Sequence, residues 1–121
     1  MNIALWILQG LLAFAFLGAG GAKLAQSREK ILANPMMAWA NDFTGTQIKL
    51  IGLAEVLGAV GLIAPWATGI LPILTPIAGA CLAIVMAGAV ATHARRKEPL
   101  AVATVLTALS LLLAVGRFLV A

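Results

Sequence analysis

Charge is what this 121-residue chain has least of: 10% of its residues are charged, and it has no tyrosine, one cysteine and one histidine. So little polar surface cannot cover a soluble domain of this size, and 63% hydrophobic residues with a mean hydropathy of +1.08 point to a bilayer. Cys81 stands in an apolar run without a second thiol, which excludes a disulfide or dithiol redox centre within one chain and reads as a buried, inert thiol. One histidine and one cysteine cannot furnish a zinc, paired-haem or iron–sulfur site, so no metal is expected. A glycine-rich phosphate loop, a dinucleotide fingerprint and a nucleophile elbow are also missing, and no intrinsic cofactor is expected. The net charge of +4 could suit nucleic acid, but the basic residues fall in short loops at membrane ends. The run from His93 to Pro99 is too short and too close to the bilayer for that role, so nucleic acid is not an expected partner.

What is present is apolar length. About 20 residues cross roughly 30 Å of hydrocarbon, and four segments qualify: 3–22, 48–65, 70–92 and 99–120. They predict a single domain over residues 1–121, an all-α membrane protein built as a four-transmembrane-helix antiparallel bundle. No basic stretch precedes the first span, which runs straight into Lys23 and reads as a retained helix, not a cleaved signal. In the first connection Asn34 can cap a helix and Pro35 can start it, while Leu32, Met36, Trp39, Ala40 and Phe43 follow with helical spacing. A short amphipathic interfacial helix is predicted at 35–43, lying on the membrane surface or folding over the bundle as a cap. Thr44 and Gln47 have capping-box spacing, with Thr46 as an alternative cap. Pro65 to Gly69 reads as a tight turn with Trp66 at the interface, Pro72 and Pro76 predict a kink or loosened first turn in the third span, and Pro99 suits the start of the fourth.

Lys23, Arg28, Lys30, Lys49, Arg95, Arg96 and Lys97 fall on the side of the first and third connections, against Arg117 alone on the other. The positive-inside rule then predicts a multi-pass cell-membrane protein with both termini outside the cytoplasm.

One acid stands inside a span. Positions 48, 51, 52, 55, 58, 59 and 62 share a helix face, so Glu55 sits between Gly52 and Gly58 on a surface suited to close helix contact. A charged carboxylate there costs about 3 kcal/mol or more unless paired, protonated or hydrated, so Glu55 is either a register-fixing hydrogen bond or a site. Lys23 reads as a snorkelling anchor or as a counter-charge for Glu55 or for an anionic ligand. The third span, with Gly79, Ala83, Met86 and Val90 on one face, delivers His93 to the same end as Lys23. Converging Lys, Glu and His side chains can hold the polar head of a lipophilic molecule or relay a proton to it. Glu55 and His93 are the catalytic candidates; Lys23, Glu55, His93 and Trp39 are the ligand-binding candidates.

The runs GGAKL (20–24), GLAEVLGAVGLIAP (52–65) and GAVATHARRKEP (88–99) resemble the DoxX-like family of small four-helix membrane proteins, in order and over nearly the whole chain. The resemblance implies that Lys23, Glu55 and His93 are the family's recurring polar residues. It also brings an association with quinone-linked redox complexes, since the family name comes from a membrane subunit of a thiosulfate:quinone oxidoreductase. Two classes of function follow. One is a membrane subunit that binds a quinone-like or other lipophilic ligand, the quinone being a borrowed cofactor, and docks a soluble oxidoreductase on its basic cytoplasmic loops. The other is a membrane isomerase or cyclase acting on a lipophilic small molecule with Glu55 as proton donor or acceptor. A structural helper of a larger membrane complex is a third reading. Membrane lipids are expected neighbours, and a homo-oligomer is allowed.

Overall fold

The computed structural model describes residues 2–119. In chain order they form α1 (Asn2–Ala25), a short α2 (Arg28–Leu32), a 3-10 helix (Pro35–Asp42), α3 (Gly45–Thr68), α4 (Leu74–Arg95) and α5 (Ala101–Leu119). The four long helices are each apolar and long enough to cross a membrane. They close a ring in which α1 packs on α3, α3 on α4, α4 on α5, and α5 back on α1. The chain is thus an integral membrane four-helix bundle, and its large exposed side chains, such as Phe14, Ile84 and Val102, are apolar ones that hydrocarbon can cover.

Leu5, Leu12, Phe16, Ala59, Leu62, Leu82, Met86 and Leu113 form the interior. Glycine sets the closest approach. A Cβ on Gly20 of α1 would lie 2.6 Å from the Gly52 carbonyl oxygen of α3, so the two helices touch backbone to backbone there. Cys81, expected to be buried, is instead exposed on the outer surface. In a bilayer the outside is as apolar as the inside, so an apolar run does not by itself place a thiol in the core.

Proline moves three of the expected boundaries. Pro65 was expected to open a turn, yet α3 continues to Thr68 and ends on Gly69, whose φ of 72° is the left-handed closing conformation. The helix survives because the carbonyl left unpaired by Pro65, that of Gly61, accepts a 2.9 Å hydrogen bond from Thr75 Oγ1 on α4. The third span begins at Leu74, not Ile70: Pro72 lies ahead of α4, and Pro76 falls in its first turn, where a helix has no N–H partner to lose. The fourth begins at Ala101, two residues beyond Pro99, with the Thr104 amide donating to Leu100 O.

The first connection folds over one end of the bundle. Ser27 caps α2 through its hydroxyl. The segment predicted as a helix at 35–43 is a 3-10 helix with a break at Met37 (φ −104°, ψ 20°), and the preceding α2 was not anticipated. Ala40 of the 3-10 helix buries against Ile31 of α2 and Ile48 of α3, giving this cap a small core of its own. Arg28 Nε donates to Phe43 O at 3.0 Å and ties the two ends of the cap together. Thr44 and Gln47 form the predicted capping box, with bonds of 2.9 and 3.1 Å. Lys49 does more than mark topology: its Nζ donates to the carbonyls of Lys23, Leu24 and Gln26, closing the C-terminal end of α1.

Candidate functional site

Lys23 is the basic residue of the last turn of α1, and Gly52 makes room for it: a Cβ on Gly52 would lie 2.8 Å from Lys23 Cβ. The lysine stem therefore lies flat over Gly52, and its ammonium reaches one turn along α3 to Glu55. Lys23 Nζ stands 2.7 Å from Glu55 Oε1, and both side chains are almost wholly removed from the surface. Among the described residues the Lys23 ammonium is the group that compensates the charge at Glu55 Oε1. Glu55 lies six residues beyond Lys49, which caps the end of α1, so the pair is roughly 9 Å inside that end of the bundle. Of the two readings of Lys23, the counter-charge is the one the fold adopts.

The cap meets this pair from above. Lys23 Nζ lies 5.6 Å from the Trp39 ring centre, within cation–π range. Trp39 is flanked edge-on by Phe43 (5.7 Å) and by His93 (6.2 Å). His93, half-buried near the end of α4, pairs through Nδ1 with Glu98 Oε1 at 2.9 Å, so it partners Glu98 and not Glu55. Arg96 completes a latch, with Nε 3.1 Å from Glu98 Oε2 and Nη1 donating to Asp42 Oδ1 of the cap at 2.7 Å. Burial pushes the Glu98 carboxyl up, but hydrogen bonds from His93 and Arg96 together outweigh it and hold the group below the ordinary glutamate range. The hydrogen bond to Glu98, helped by the charge of Asp42, raises Arg96 above its ordinary value.

Lys23, Glu55, Trp39 and His93 all line one cavity of about 850 Å³. It lies beneath the 3-10 helix and is walled by α1, α3, α4 and α5, with Ile51, Met86, Ala89 and Leu106 among its apolar residues. Its wall also includes Ile84 and Val102, which are 72% and 74% exposed, so the space reaches the lipid-facing surface. A volume of this order, largely apolar and with a few convergent polar groups, suits a small lipophilic molecule.

The matched residues agree with the geometry: the profile of the DoxX-like family covers residues 7–116, the bundle and all four of these side chains. The chain belongs to the DoxX-like family. Comparison with curated proteins and with solved structures gives no match. This family member also carries polar groups that its sequence did not flag. Glu98 and Arg96 lie in the α4–α5 connection and Asp42 ends the 3-10 helix, 54 positions from its partner Arg96, so no helical spacing could join them. At the opposite end Arg117, read only as a topology marker, is 2% exposed. Its Nε donates to Gln9 Oε1 at 2.6 Å, its Nη1 to Asn2 Oδ1 at 2.8 Å, and its guanidinium stacks 4.3 Å from the Trp66 ring centre. Gln9 Nε2 in turn donates to Leu62 O at 2.5 Å, so this cluster ties α1, α3 and α5. A lone glutamine in an otherwise apolar span was the available signal. None of these residues lines the cavity, and their role is to hold the helices together.

Proposed function

We propose that this DoxX-like protein is a membrane subunit that binds a quinone-like lipophilic molecule in a redox-linked process. The observation that carries the reading is the convergence of Lys23, Glu55, His93 and Trp39 on one apolar cavity open to the lipid-facing surface. The residues fit such a head. The Lys23 ammonium and a His93 ring nitrogen can meet carbonyl oxygens, Trp39 supplies an aromatic neighbour, and Met86, Ala89 and Leu106 can pack an isoprenoid tail. A bound quinone would supply the electron-carrying chemistry, while the chain's own residues orient the head, exclude water and offer proton-exchanging groups. The cavity end carries the basic loops, and with that end in the cytoplasm Arg28, Lys30 and Lys97 form a surface for a soluble oxidoreductase.

A second reading, an isomerase or cyclase using Glu55 as proton donor or acceptor, draws support from the burial of that carboxylate in the cavity wall. Mass spectrometry of the lipophile extracted from the purified protein separates the two. A quinone supports the first reading and a terpenoid or sterol-like compound the second. Bulk phospholipid alone would overturn both and leave a structural helper.

A further inference from the structure

The cavity faces a difficulty that its own geometry creates. Because its wall includes Ile84 and Val102 on the lipid-facing surface, any single-chain amphiphile of the surrounding leaflet can present itself there. Some of these amphiphiles carry anionic heads. A lone ammonium at the bottom of an apolar space would be a trap for them, since an anion brought out of water gains most from a partner that is also unpaired. Lys23 is not such a partner, because Glu55 stands 2.7 Å away. The other charged groups in the lining are Arg95, exposed at the rim, and Glu98, already engaged by His93 and Arg96. Deep in the cavity the charges of Lys23 and Glu55 therefore cancel, Glu98 is answered by Arg96, and Arg95 stands at the exposed rim.

We infer that Glu55 is a selectivity residue: by neutralising Lys23 it reserves the cavity for uncharged polar heads and closes it to carboxylate-, sulfate- and phosphate-headed amphiphiles. The inference rests on the proposed binding of a lipophile in this cavity. A hydroxyl or carbonyl head can accept from Lys23 Nζ, and a hydroxyl can also donate to the Glu55 carboxylate, without separating the pair. An anionic head must compete with Glu55 for the ammonium, and a cationic head must compete with Lys23 for the carboxylate.

Three probes that share one chain test it: radiolabelled hexadecanol, hexadecyl sulfate and hexadecylammonium, bound at neutral pH to the full chain in phosphatidylcholine nanodiscs. Wild type is expected to bind hexadecanol at least about tenfold more tightly than either ion. Glu55→Gln should raise affinity for hexadecyl sulfate by about tenfold or more, and Lys23→Met should do the same for hexadecylammonium. The double variant Lys23→Met/Glu55→Gln, which leaves no unpaired charge, should again prefer hexadecanol. Where a single variant misfolds, since each strands a buried charge, the wild-type ranking and the double variant carry the test. Hexadecyl sulfate binding wild type as tightly as hexadecanol overturns the selectivity while leaving the cavity a lipophile site. A folded Glu55→Gln with the wild-type ranking does the same. Failure of all three probes to bind wild type removes the lipophile site itself.

Discussion

At the scale of single residues, two kinds of charge behave differently in this protein. Lys23 and Glu55 were legible in the sequence because each stands alone among apolar and small residues, where a charge must find a partner. Their pairing was one of the readings open to Lys23, and what the sequence did not reveal is the part of Gly52, which lets the lysine stem lie along α3. Glu98 is the opposite case: it sits in a polar run where nothing marks one charge above its neighbours, and only the fold brings it to His93 and Arg96. Its depressed pKa has a consequence for pH. The contribution of a group whose pKa is lowered on folding is complete above the ordinary glutamate range and is lost as pH falls through the lower folded value. Acidification to below the ordinary glutamate range should therefore release the latch from Arg96 to Asp42 and loosen the cap. Emission from Trp39, with Trp6 and Trp66 replaced by Phe, should become more accessible to an aqueous quencher over that interval, and in Glu98→Gln already at neutral pH. A Trp39 signal that stays flat through acidification would remove the latch from the account.

At the scale of elements, period and length located the four spans, while proline misled at two of their ends and, through Pro72 and Pro76, marked the loosened start of a third. The reason is particular to each place. Pro65 is tolerated inside α3 because Thr75 on another helix takes the carbonyl it frees, a relation that no local window contains. The shared face from Ile48 to Leu62 was read correctly, and Ile48, Gly52, Glu55, Ala59 and Leu62 are its buried residues. That face works through the absence of side chains. Gly20→Ala would place a methyl 2.6 Å from the Gly52 carbonyl oxygen, which is backbone and cannot turn aside. The substitution should push α1 from α3 and cost about 1–3 kcal/mol. Gly18→Ala, where nothing lies within 4 Å, should be neutral or slightly stabilising, as expected of alanine in a helix. Thermal melting in detergent compares them. Equal melting of the two variants would mean that the α1–α3 contact is not as close as described.

At the scale of the whole molecule, two polar clusters hold opposite ends of one bundle. Arg117, Gln9 and Asn2 fasten α1 and α5 together near the chain termini, whereas at the other end the cavity spreads between α1, α3, α4 and α5 beneath the cap. Composition and hydropathy were enough for the bundle, because a chain this apolar has few other ways to satisfy its backbone. The cavity could not be read in advance, since an empty space is a property of packing and not of any residue. We propose from the basic residues gathered at the cavity end that this end faces the cytoplasm. In a Cys81→Ser background, Ile70→Cys in the α3–α4 turn should react with an impermeant thiol reagent on intact cells, and Glu29→Cys in α2 only after permeabilisation. The reverse pattern would invert the protein in its membrane.

The central claim is that the cavity beneath the cap is occupied by a lipophile, and a substitution that fills the space without touching its polar end tests it most directly. Ala89 lines the cavity on α4 and contacts neither Lys23 nor Glu55 through a polar group. Wild type and Ala89→Trp would be purified from the same membranes, matched for melting temperature, and compared by mass spectrometry for the lipophile each retains. The account predicts that wild type carries a discrete compound and that Ala89→Trp, still folded, has lost most of it. The same compound retained at the wild-type ratio in a folded Ala89→Trp protein would contradict the claim.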